Sequence, residues 1–378
     1  MTSELVVDVQ PKEVSIALLE DKSLVELQSE GRNISFSVGN MYLGRIKKLM
    51  PGLNACFVDV GYEKDAFLHY LDLGPQFNSL EKFVKQTLSD KKKLTSISKA
   101  TLLPDLDKDG TVSNTLKVGQ EVVVQIVKEP ISTKGPRLTS EISFAGRYLV
   151  LIPFNDKVSV SQKIKSSEER ARLKQLLMSI KPKNFGVIVR TVSAGVTQAT
   201  LKNDLVYLKR TWAEVRKKAT EVKAPACVYR EPGLPERAIR DYLTDDVTEV
   251  WVDDADMAER IRNTVALLFP NKKELVRLHN DTRRSMWERF NLRRQLDQIY
   301  SREVLMPSGG RLCFDQTEAL MAIDINSGKI SGKGNFEAMA FKTNMEAAET
   351  IARQLKLRDI GGQVVIDFIE MKEHKHVA

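Results

Sequence analysis

Two aspartates in the C-terminal region of the chain follow short apolar runs of the kind that form buried strands. Asp324 ends the run 319–323, and Asp367 ends the run 364–366. Between them, residues 336–357 carry small and apolar side chains at the spacing of one helical face. This order predicts a β-α-β unit, whose two strands are parallel and joined by a right-handed crossover.

Parallel neighbouring strands would place Asp324 and Asp367 at the same carboxyl edge of the sheet, where ligand sites of open α/β sheets lie. Two close carboxylates repel each other unless they share a proton or a cation. Mg²⁺ would relieve this repulsion and still accept phosphate oxygens, and Asn326 could orient one carboxylate. Alternatively, both aspartates cap the turns after their strands. The pattern by itself leaves both interpretations open.

The elements that would position these residues form a mixed α/β chain. Residues 1–36 predict short strands. Strand patterns punctuated by glycine follow at 41–46, 55–61 and 66–69, and the β-branched run 121–127 could close them into a small barrel. Further strands are predicted at 147–152, 186–190 and 249–252, and helices at 167–180 and 203–222, with Gly361 and Gly362 ending the helix 336–357.

Residues 74–116 break the strand pattern. They contain Lys91, Lys92 and Lys93 and an aspartate-rich stretch at 105–110. Polar runs without periodicity bury too little surface to become ordered. We therefore expect a flexible surface insertion.

Three other motifs do not predict ligand sites. Residues 105–110 begin like an EF-hand loop, but Leu116 stands where the bidentate glutamate belongs. Residues 328–334 lack the spacing of a phosphate-binding loop and predict a flexible basic loop instead. His374 and His376 have no third ligand nearby in the sequence.

The composition narrows the class of partner. The formal net charge is +8 over 378 residues, and a basic protein favours polyanions because neutralised phosphates release counterions. No stretch approaches the roughly 20 apolar residues that cross a bilayer, and the N-terminus does not resemble a signal peptide. We expect a cytoplasmic protein without a membrane-spanning segment. Its three cysteines (Cys56, Cys227 and Cys313) are too scattered for a disulfide framework or a zinc knuckle.

Several segments resemble the ribonuclease E/G family, nearly throughout the chain and in the family's order. The resemblance is strongest in the C-terminal region and in the predicted barrel, and residues 4–7 and 67–69 look closer to the ribonuclease G branch. The segments are MAIDINSG (321–328), NMEAA (344–348), IARQLKLRD (351–359), GGQVVIDFI (361–369), VGNMYLGR (38–45) and FVDVG (57–61).

The resemblance implies a multidomain α/β fold in which an S1-type OB barrel is inserted into an RNase H-like subdomain, followed by a partial DNase I-like domain. The implied segments are 1–36 (the first RNase H-like segment), 37–140 (the barrel, with the insertion 74–116), 141–235 (the 5′-sensor region), 236–299 (the second RNase H-like segment) and 300–378 (a truncated DNase I-like catalytic domain).

The resemblance also implies an Mg²⁺-dependent endoribonuclease that hydrolyses internal phosphodiester bonds of single-stranded RNA in RNA processing and decay. Its substrates would be rRNA precursors and mRNA, with 5′-monophosphorylated ends favoured. Asp324 and Asp367 match the ligands of one Mg²⁺ ion, and Asn326 matches a supporting amide. The alternative function is a non-catalytic RNA-binding fragment. A small-molecule phosphohydrolase would leave the barrel and the sensor region without a role.

Two further sets of residues match RNA-binding positions of the family. Phe57, Phe67 and Lys134 match a barrel surface that contacts RNA. Taken alone, the two phenylalanines would be barrel core and the lysine a solvated turn residue.

The 5′-monophosphate pocket is matched by Gly146, Val150, Arg190 and Thr191. Taken alone, Arg190 would be a surface arginine on an edge strand. Gln162, followed by Lys163, departs from the arginine that the family often has nearby. This departure predicts a weaker or differently built preference for the 5′ end.

The C-terminus is the largest departure from the family, which normally continues beyond the position of Ala378. We expect an excised fragment or a truncated product. Zinc is therefore not supported in this chain, and a homo-oligomer is left open for the full-length protein.

Overall fold

The computed structural model describes residues 2–31, 36–89, 97–328 and 336–377. The chain forms two compact units. One comprises Met1–Arg32 and Leu234–Ala378, and the other comprises Asn33–Gly233. Within the described residues, no helix is long and apolar enough to cross a membrane.

The strands, in chain order, are β1 (Ser3–Val9), β2 (Glu13–Glu20), β3 (Ser23–Gly31), β4 (Met41–Met50), β5 (Ala55–Asp59), β6 (Ala66–His69), β7 (Glu121–Lys128), β8 (Arg137–Thr139), β9 (Phe144–Ala145), β10 (Leu149–Pro153), β11 (Val158–Val160), β12 (Phe185–Val189), β13 (Ala226–Tyr229), β14 (Val247–Val252), β15 (Val276–Leu278), β16 (Glu303–Leu305), β17 (Arg311–Gln316), β18 (Leu320–Asn326) and β19 (Gln363–Asp367).

The helices are α1 (Phe77–Ser89), α2 (Val112–Thr115), α3 (Ser167–Ile180), α4 (Gln198–Glu221), α5 (Leu234–Tyr242), α6 (Ala255–Leu268), α7 (Met286–Arg289), α8 (Leu292–Tyr300), α9 (Phe336–Leu357) and α10 (His374–Val377). The bounds predicted for α3 and α9 are confirmed. Helix α4 begins at Gln198 rather than at residue 203 as predicted. Thr197 caps this helix, because its side chain accepts a hydrogen bond from the Thr200 N–H.

The first unit contains a five-stranded sheet in the order β15-β14-β1-β2-β3, in which β1, β14 and β15 are parallel. Strand β1 is covered on both faces, since Leu5 and Val7 pack in one apolar cluster and Val6 in another. A strand buried on both faces has a continuous apolar run rather than an alternating one. The run Leu5-Val6-Val7 has this form.

The same unit contains a four-stranded sheet in the order β16-β17-β18-β19. Strand β18 pairs in parallel with β19, and α9 connects them, so the predicted β-α-β order is confirmed. Helix α9 covers one face of this sheet, where Ile323 packs with Ala347 and Ile351.

Two details of this unit differ from the prediction. Helix α9 ends at Leu357 as predicted, but Asp359, with a left-handed φ of 51°, ends it rather than the glycine pair. The N–H groups of Asp359 and Ile360 then donate to the carbonyls of Lys356 and Leu355, as in a Schellman motif. Strand β19 is also not fully buried: it is an edge strand covered on one face, and Val365 is 55% exposed.

The second unit contains the predicted barrel. Strands β4, β5, β6, β8 and β7 follow one another, and pairing of β4 with β7 closes the ring. Gly44 is required where β4 crosses the packed interior, since a Cβ there would lie 2.7 Å from Cγ1 of Val58. The closed five-stranded ring is consistent with an OB-type barrel.

The expectation of a flexible insertion at 74–116 is wrong for its described residues. Helix α1 buries Phe77, Leu80 and Phe83 at helical spacing, and Phe83 contacts the rings of Phe154 and Trp212. The charged and polar residues around this helix concealed its apolar face in the sequence. Lys91, Lys92 and Lys93 lie outside the described residues.

The second unit also contains a four-stranded sheet in the order β11-β12-β10-β9. Helices α3 and α4 pack against it around a shared apolar core. This sheet carries the residues that match the 5′-sensor region. The basic loop predicted at 328–334 lies, from residue 329 onward, outside the described residues.

Candidate functional site

Asp324 and Asp367 are directly opposite each other in the parallel pair formed by β18 and β19. Because neighbouring strands are about 4.8 Å apart, their side chains leave the sheet side by side. Both residues are exposed. Asp324 alternates with the buried Ile323 and Ile325, so it lies on the face that α9 does not cover.

We call this uncovered surface the open face. Its central row crosses the whole sheet, because Glu303 pairs with Cys313, Cys313 with Asp324, and Asp324 with Asp367. The open face includes Glu303, Arg311, Cys313, Asp315, Asp324, Asn326 and Asp367, together with the exposed apolar Leu305 and Val365.

Asn326 orients one of the two central carboxylates. Its Nδ2 donates a hydrogen bond to Oδ2 of Asp324 at 2.6 Å. The two residues are two positions apart on β18, and successive side chains on a strand alternate between its faces, so both point to the open face. The predicted pairing of these two side chains is therefore present.

The donors at this position suit a hard divalent cation. Among the described residues, no group of three or more His, Cys, Asp or Glu side chains could hold a metal ion. Mg²⁺ is commonly bound in this way, by two carboxylates, with its remaining coordination positions open to water and phosphate. The neighbouring Cys313 thiol is a poor competitor as a ligand, because burial and the nearby Glu303 raise its pKa.

The segment after Asp367 is fixed to α9 by a buried amide. Nδ2 of Asn344 donates to the carbonyl oxygen of Ile369 at 2.8 Å, and the Ile369 N–H donates to Oδ1 of Asn344 at 3.0 Å. This two-bond clamp holds the end of β19 in place beside β18. Asn344 was not predicted as a site residue, although its polar side chain on the apolar face of a helix is a signal that could have identified it.

The second unit brings Arg190 and Gly146 together. Nη1 of Arg190 donates to the carbonyl oxygen of Gly146 at 2.6 Å. The turn that contains Gly146 is held by buried Asp204, which accepts hydrogen bonds from the N–H groups of Tyr148 and Leu149, both at 2.9 Å. Burial raises the pKa of Asp204, and these backbone donors oppose the rise. A Cβ on Gly146 would lie 2.6 Å from Asp204 Oδ2, so only glycine fits there.

The other residues matched to the sensor pocket are arranged around β12. Thr191 follows Arg190, and its hydroxyl lies 2.9 Å from Oγ of Ser161. Val150 is half-buried on β10 opposite Ile188. Gln162 and Lys163, the departure from the family, are exposed.

The two barrel aromatics form a pair on the outside of the barrel. Phe57 and Phe67 are opposite each other on β5 and β6, with ring centroids 6.0 Å apart. Both are half-buried and neither belongs to the barrel's apolar core. Lys48 lies opposite Phe57, and Arg137 lies opposite Phe67, where its guanidinium pairs with Asp72 at 2.9 Å.

Lys134, the third residue matched to the barrel surface, is exposed in a tight turn. The N–H of Ile131 donates to the Lys134 carbonyl at 3.2 Å, and the reverse hydrogen bond measures 2.9 Å. Its side chain is therefore presented to solvent from a fixed backbone.

Known ribonucleases are similar to this chain over nearly its whole length. Residues 143–378 match the model of the ribonuclease E/G family. Ribonuclease G of Escherichia coli K12 is 35% identical over 378 residues, which is 100% of this chain and 73% of that protein. Ribonuclease G of Haemophilus influenzae is 34% identical over 373 residues, 99% of this chain and 72% of that protein.

The chain belongs to the ribonuclease E/G family. Ribonuclease E of Escherichia coli K12 is 35% identical over 370 residues, which cover 97% of this chain but 33% of that longer protein. The barrel lies before the matched residues 143–378, and it is included in the full-length similarity to the ribonuclease G proteins.

Two residues of this family member were missed by sequence reasoning, although each has a signal in the sequence. In Arg311-Leu312-Cys313-Phe314, the apolar Leu312 and Phe314 alternate with side chains that must face the other way. That alternation places Arg311 and Cys313 on the open face. Their neighbours there, however, come from β16, β18 and β19, and only the strand order supplies them.

Proposed function

We propose that this protein is an endoribonuclease that hydrolyses internal phosphodiester bonds of single-stranded RNA and depends on Mg²⁺. The observation that carries the proposal is the register of β18 and β19, which makes Asp324 and Asp367 direct neighbours on the open face. Family membership supports the class of substrate, since the relatives are ribonucleases.

Asp324 and Asp367 would hold the ion, and Asn326 would keep the Asp324 carboxylate in one orientation through its 2.6 Å hydrogen bond. When bound, Mg²⁺ supplies positive charge for a phosphate oxygen and a water of lowered pKa. The Asn344 clamp keeps the end of β19 aligned with β18.

RNA binding would use the barrel surface formed by Phe57 and Phe67 with the flanking Lys48. Base–aromatic stacking contributes about 1–3 kcal/mol per base and tolerates any sequence. Lys134 would add a phosphate contact from its turn. This surface supports a grip on single-stranded RNA without a sequence preference.

A preference for 5′-monophosphorylated RNA belongs to the same proposal. Arg190 and Thr191 would contact the terminal phosphate, since an arginine fork and a hydroxyl suit phosphate oxygens. Gly146 accepts a hydrogen bond from Arg190 and so fixes its guanidinium, and Val150 belongs to the same sheet on β10. The exposed Gln162 and Lys163 are the feature that would weaken this preference.

The finer assignments of the family resemblance are proposals of the same kind. They are an S1-type barrel, an RNase H-like arrangement of the first sheet, a DNase I-like arrangement of the β16–β19 sheet, and roles in processing of rRNA precursors and decay of mRNA. A homo-oligomer of the full-length protein belongs with them.

The test is a cleavage assay on a fluorescent, unstructured, 5′-monophosphorylated RNA with either Mg²⁺ or EDTA. The variants are Asp367→Asn and, as a charge-matched control on the same face, Asp315→Asn. We expect internal cuts that need Mg²⁺ and Asp367 but not Asp315, and slower cutting of the same RNA with a 5′ hydroxyl. Binding without cuts would favour a non-catalytic RNA-binding fragment, and cuts that persist in Asp367→Asn would contradict the site.

A further inference from the structure

Arg311 is an exposed cation beside the two aspartates that no step of the proposed function uses. It begins β17, where it lies opposite Asn326 of β18 and Leu305 of β16. Its neighbour Leu312 is buried against α9, so Arg311 points to the open face. Asp324 is its diagonal cross-strand neighbour, about 7–8 Å away between backbones and within reach of a long side chain.

The backbone that carries Arg311 is held tightly. Gly310 packs against β18 so closely that a Cβ there would lie 2.9 Å from the Asn326 carbonyl oxygen. In the same hairpin, the Ser308 N–H donates to Oε1 of Glu346 on α9 at 2.9 Å. The base of the Arg311 side chain is thus fixed relative to Asn326, while its guanidinium extends into solvent.

The ion pairs around the open face leave the Arg311 guanidinium available to bind a phosphate. Arg302, just before β16, uses both arms of its guanidinium on Asp315 of that face, at 2.6 and 2.8 Å. Among the carboxylates of the described residues, Arg311 has an ion-pair contact with Glu303 alone, at 3.7 Å, which is longer than a hydrogen bond. The Arg311 side chain remains 52% exposed.

On the described part of this surface, an RNA strand would meet mostly negative charge. Among the described residues, four carboxylates (Glu303, Asp315, Asp324 and Asp367) lie on the open face, beside Arg311 and the Arg302 that pairs with Asp315. A divalent cation between Asp324 and Asp367 would offset two of these charges at one phosphate. The next phosphate along the strand would still need a cation, and a guanidinium fork binds phosphate oxygens with two parallel hydrogen bonds.

We propose that Arg311 binds a backbone phosphate adjacent to the scissile one and so sets the register of the RNA strand over Asp324 and Asp367. This inference rests on the proposed endoribonuclease function and adds a phosphate subsite to it. The competing interpretation is a surface ion pair between Arg311 and Glu303, and exposed pairs of that kind contribute little.

The test compares Arg311→Gln, Arg311→Lys and the control Arg302→Gln in the full chain. A lost charge-assisted hydrogen bond corresponds to a fall in kcat/KM of about 10- to 100-fold for Arg311→Gln. Arg311→Lys should recover part of the lost kcat/KM, because lysine supplies a point charge. Arg302→Gln should have the kcat/KM of the wild type. Thermal unfolding should not distinguish the Arg311 variants from the wild type.

RNA carrying a single neutral methylphosphonate identifies the contacted phosphate. At one position next to the cut, the substitution should slow wild-type cleavage and leave Arg311→Gln with no further loss. Equal losses in both proteins at every position, or equal activity of Arg311→Gln and Arg302→Gln, would overturn the proposal.

A binding measurement separates this inference from the proposed function. The slope of log affinity against log salt should be shallower by about 0.7 in Arg311→Gln, the value for one lost phosphate contact on a single strand. This holds even for a protein that does not cleave. If the protein does not cleave RNA but the slope changes in Arg311→Gln, the proposed enzymatic function is overturned and the phosphate subsite is kept. If the slope does not change, the phosphate subsite is overturned.

Discussion

The first unit contains two aspartate pairs built on the same local geometry. Asp324 and Asp367 lie opposite each other on parallel β18 and β19. Asp8 and Asp253 lie one residue beyond the paired Val7 and Val252 of parallel β1 and β14. In each case a parallel pair brings two carboxylates together, and the surroundings differ.

The pair formed by Asp8 and Asp253 is partly enclosed, because Asp8 is buried and Asp253 is half-buried. Asp8 is 4% exposed, and the Val9 N–H donates to Oδ1 of Asp253 at 2.9 Å. Burial, with the adjacent Asp8, raises the pKa of Asp253 to about 6. A proton therefore relieves the repulsion at this pair as the pH falls through about 6.

The pair formed by Asp324 and Asp367 is exposed on a sheet face that no helix covers. Here water, a cation and a phosphate can approach, so a divalent ion can relieve the repulsion. Parallel strands thus bring two carboxylates together both at β18 and β19 and at β1 and β14. Burial decides whether the pair is neutralised by a proton or suited to a metal.

The largest expected effect is on cleavage. Asp324→Asn should lower kcat/KM by at least about 100-fold, since even residues that only support a metal ligand are worth about 10- to 100-fold. Asp253→Asn, the same change in the partly enclosed pair, should leave kcat/KM essentially unchanged. Similar losses in both variants, measured on fluorescent RNA, would erase the distinction between the pairs.

The next effect concerns the amides that support each pair. Nδ2 of Asn326 donates to Asp324 at 2.6 Å, and Nε2 of Gln10 donates to Asp8 at 3.0 Å. Asn326→Ala should reduce kcat by about 10- to 100-fold, and Gln10→Ala should not. Full activity of Asn326→Ala in steady-state kinetics would remove its orienting role.

Magnesium should stabilise the folded protein by binding between Asp324 and Asp367, and not by binding between Asp8 and Asp253. At ten times its Kd, an ion that binds only the folded state adds about 1.4 kcal/mol to the free energy of unfolding. Thermal unfolding followed during an Mg²⁺ titration should show this gain in the wild type and in Asp253→Asn. A gain of the same size in Asp367→Asn would place the ion elsewhere.

The smallest expected effect is on the pH dependence of stability. The folded-state pKa of Asp253, about 6, exceeds its ordinary value of 3.8. The protonated form is therefore favoured by folding, so this stability is complete below pH 3.8 and is lost as pH rises through about 6. Relative to Asp253→Asn, the wild type should lose unfolding free energy over this window in denaturant titrations. Parallel pH profiles would contradict the shared proton.

Much of the fold was predictable because its signals are local. The helical spacing of 336–357 and the apolar runs before Asp324 and Asp367 lie in consecutive residues, and they predicted the parallel pairing of β18 with β19. The last residue of α9 was predicted correctly, but the stop was assigned to the glycine pair, whereas Asp359 already adopts the left-handed conformation usually filled by glycine. Helix α1 was missed because its partners, such as Trp212, are distant in sequence.

By itself, the sequence determined the β-α-β order and hence that Asp324 and Asp367 are neighbours, since alternation and crossover direction are properties of the chain in order. Only the tertiary structure decided which face of the sheet stays uncovered, that Arg311 and Cys313 share it with the aspartates, and that Asp8 and Asp253 are partly enclosed. These outcomes depend on which elements pack on each sheet, and that packing joins residues far apart in the chain.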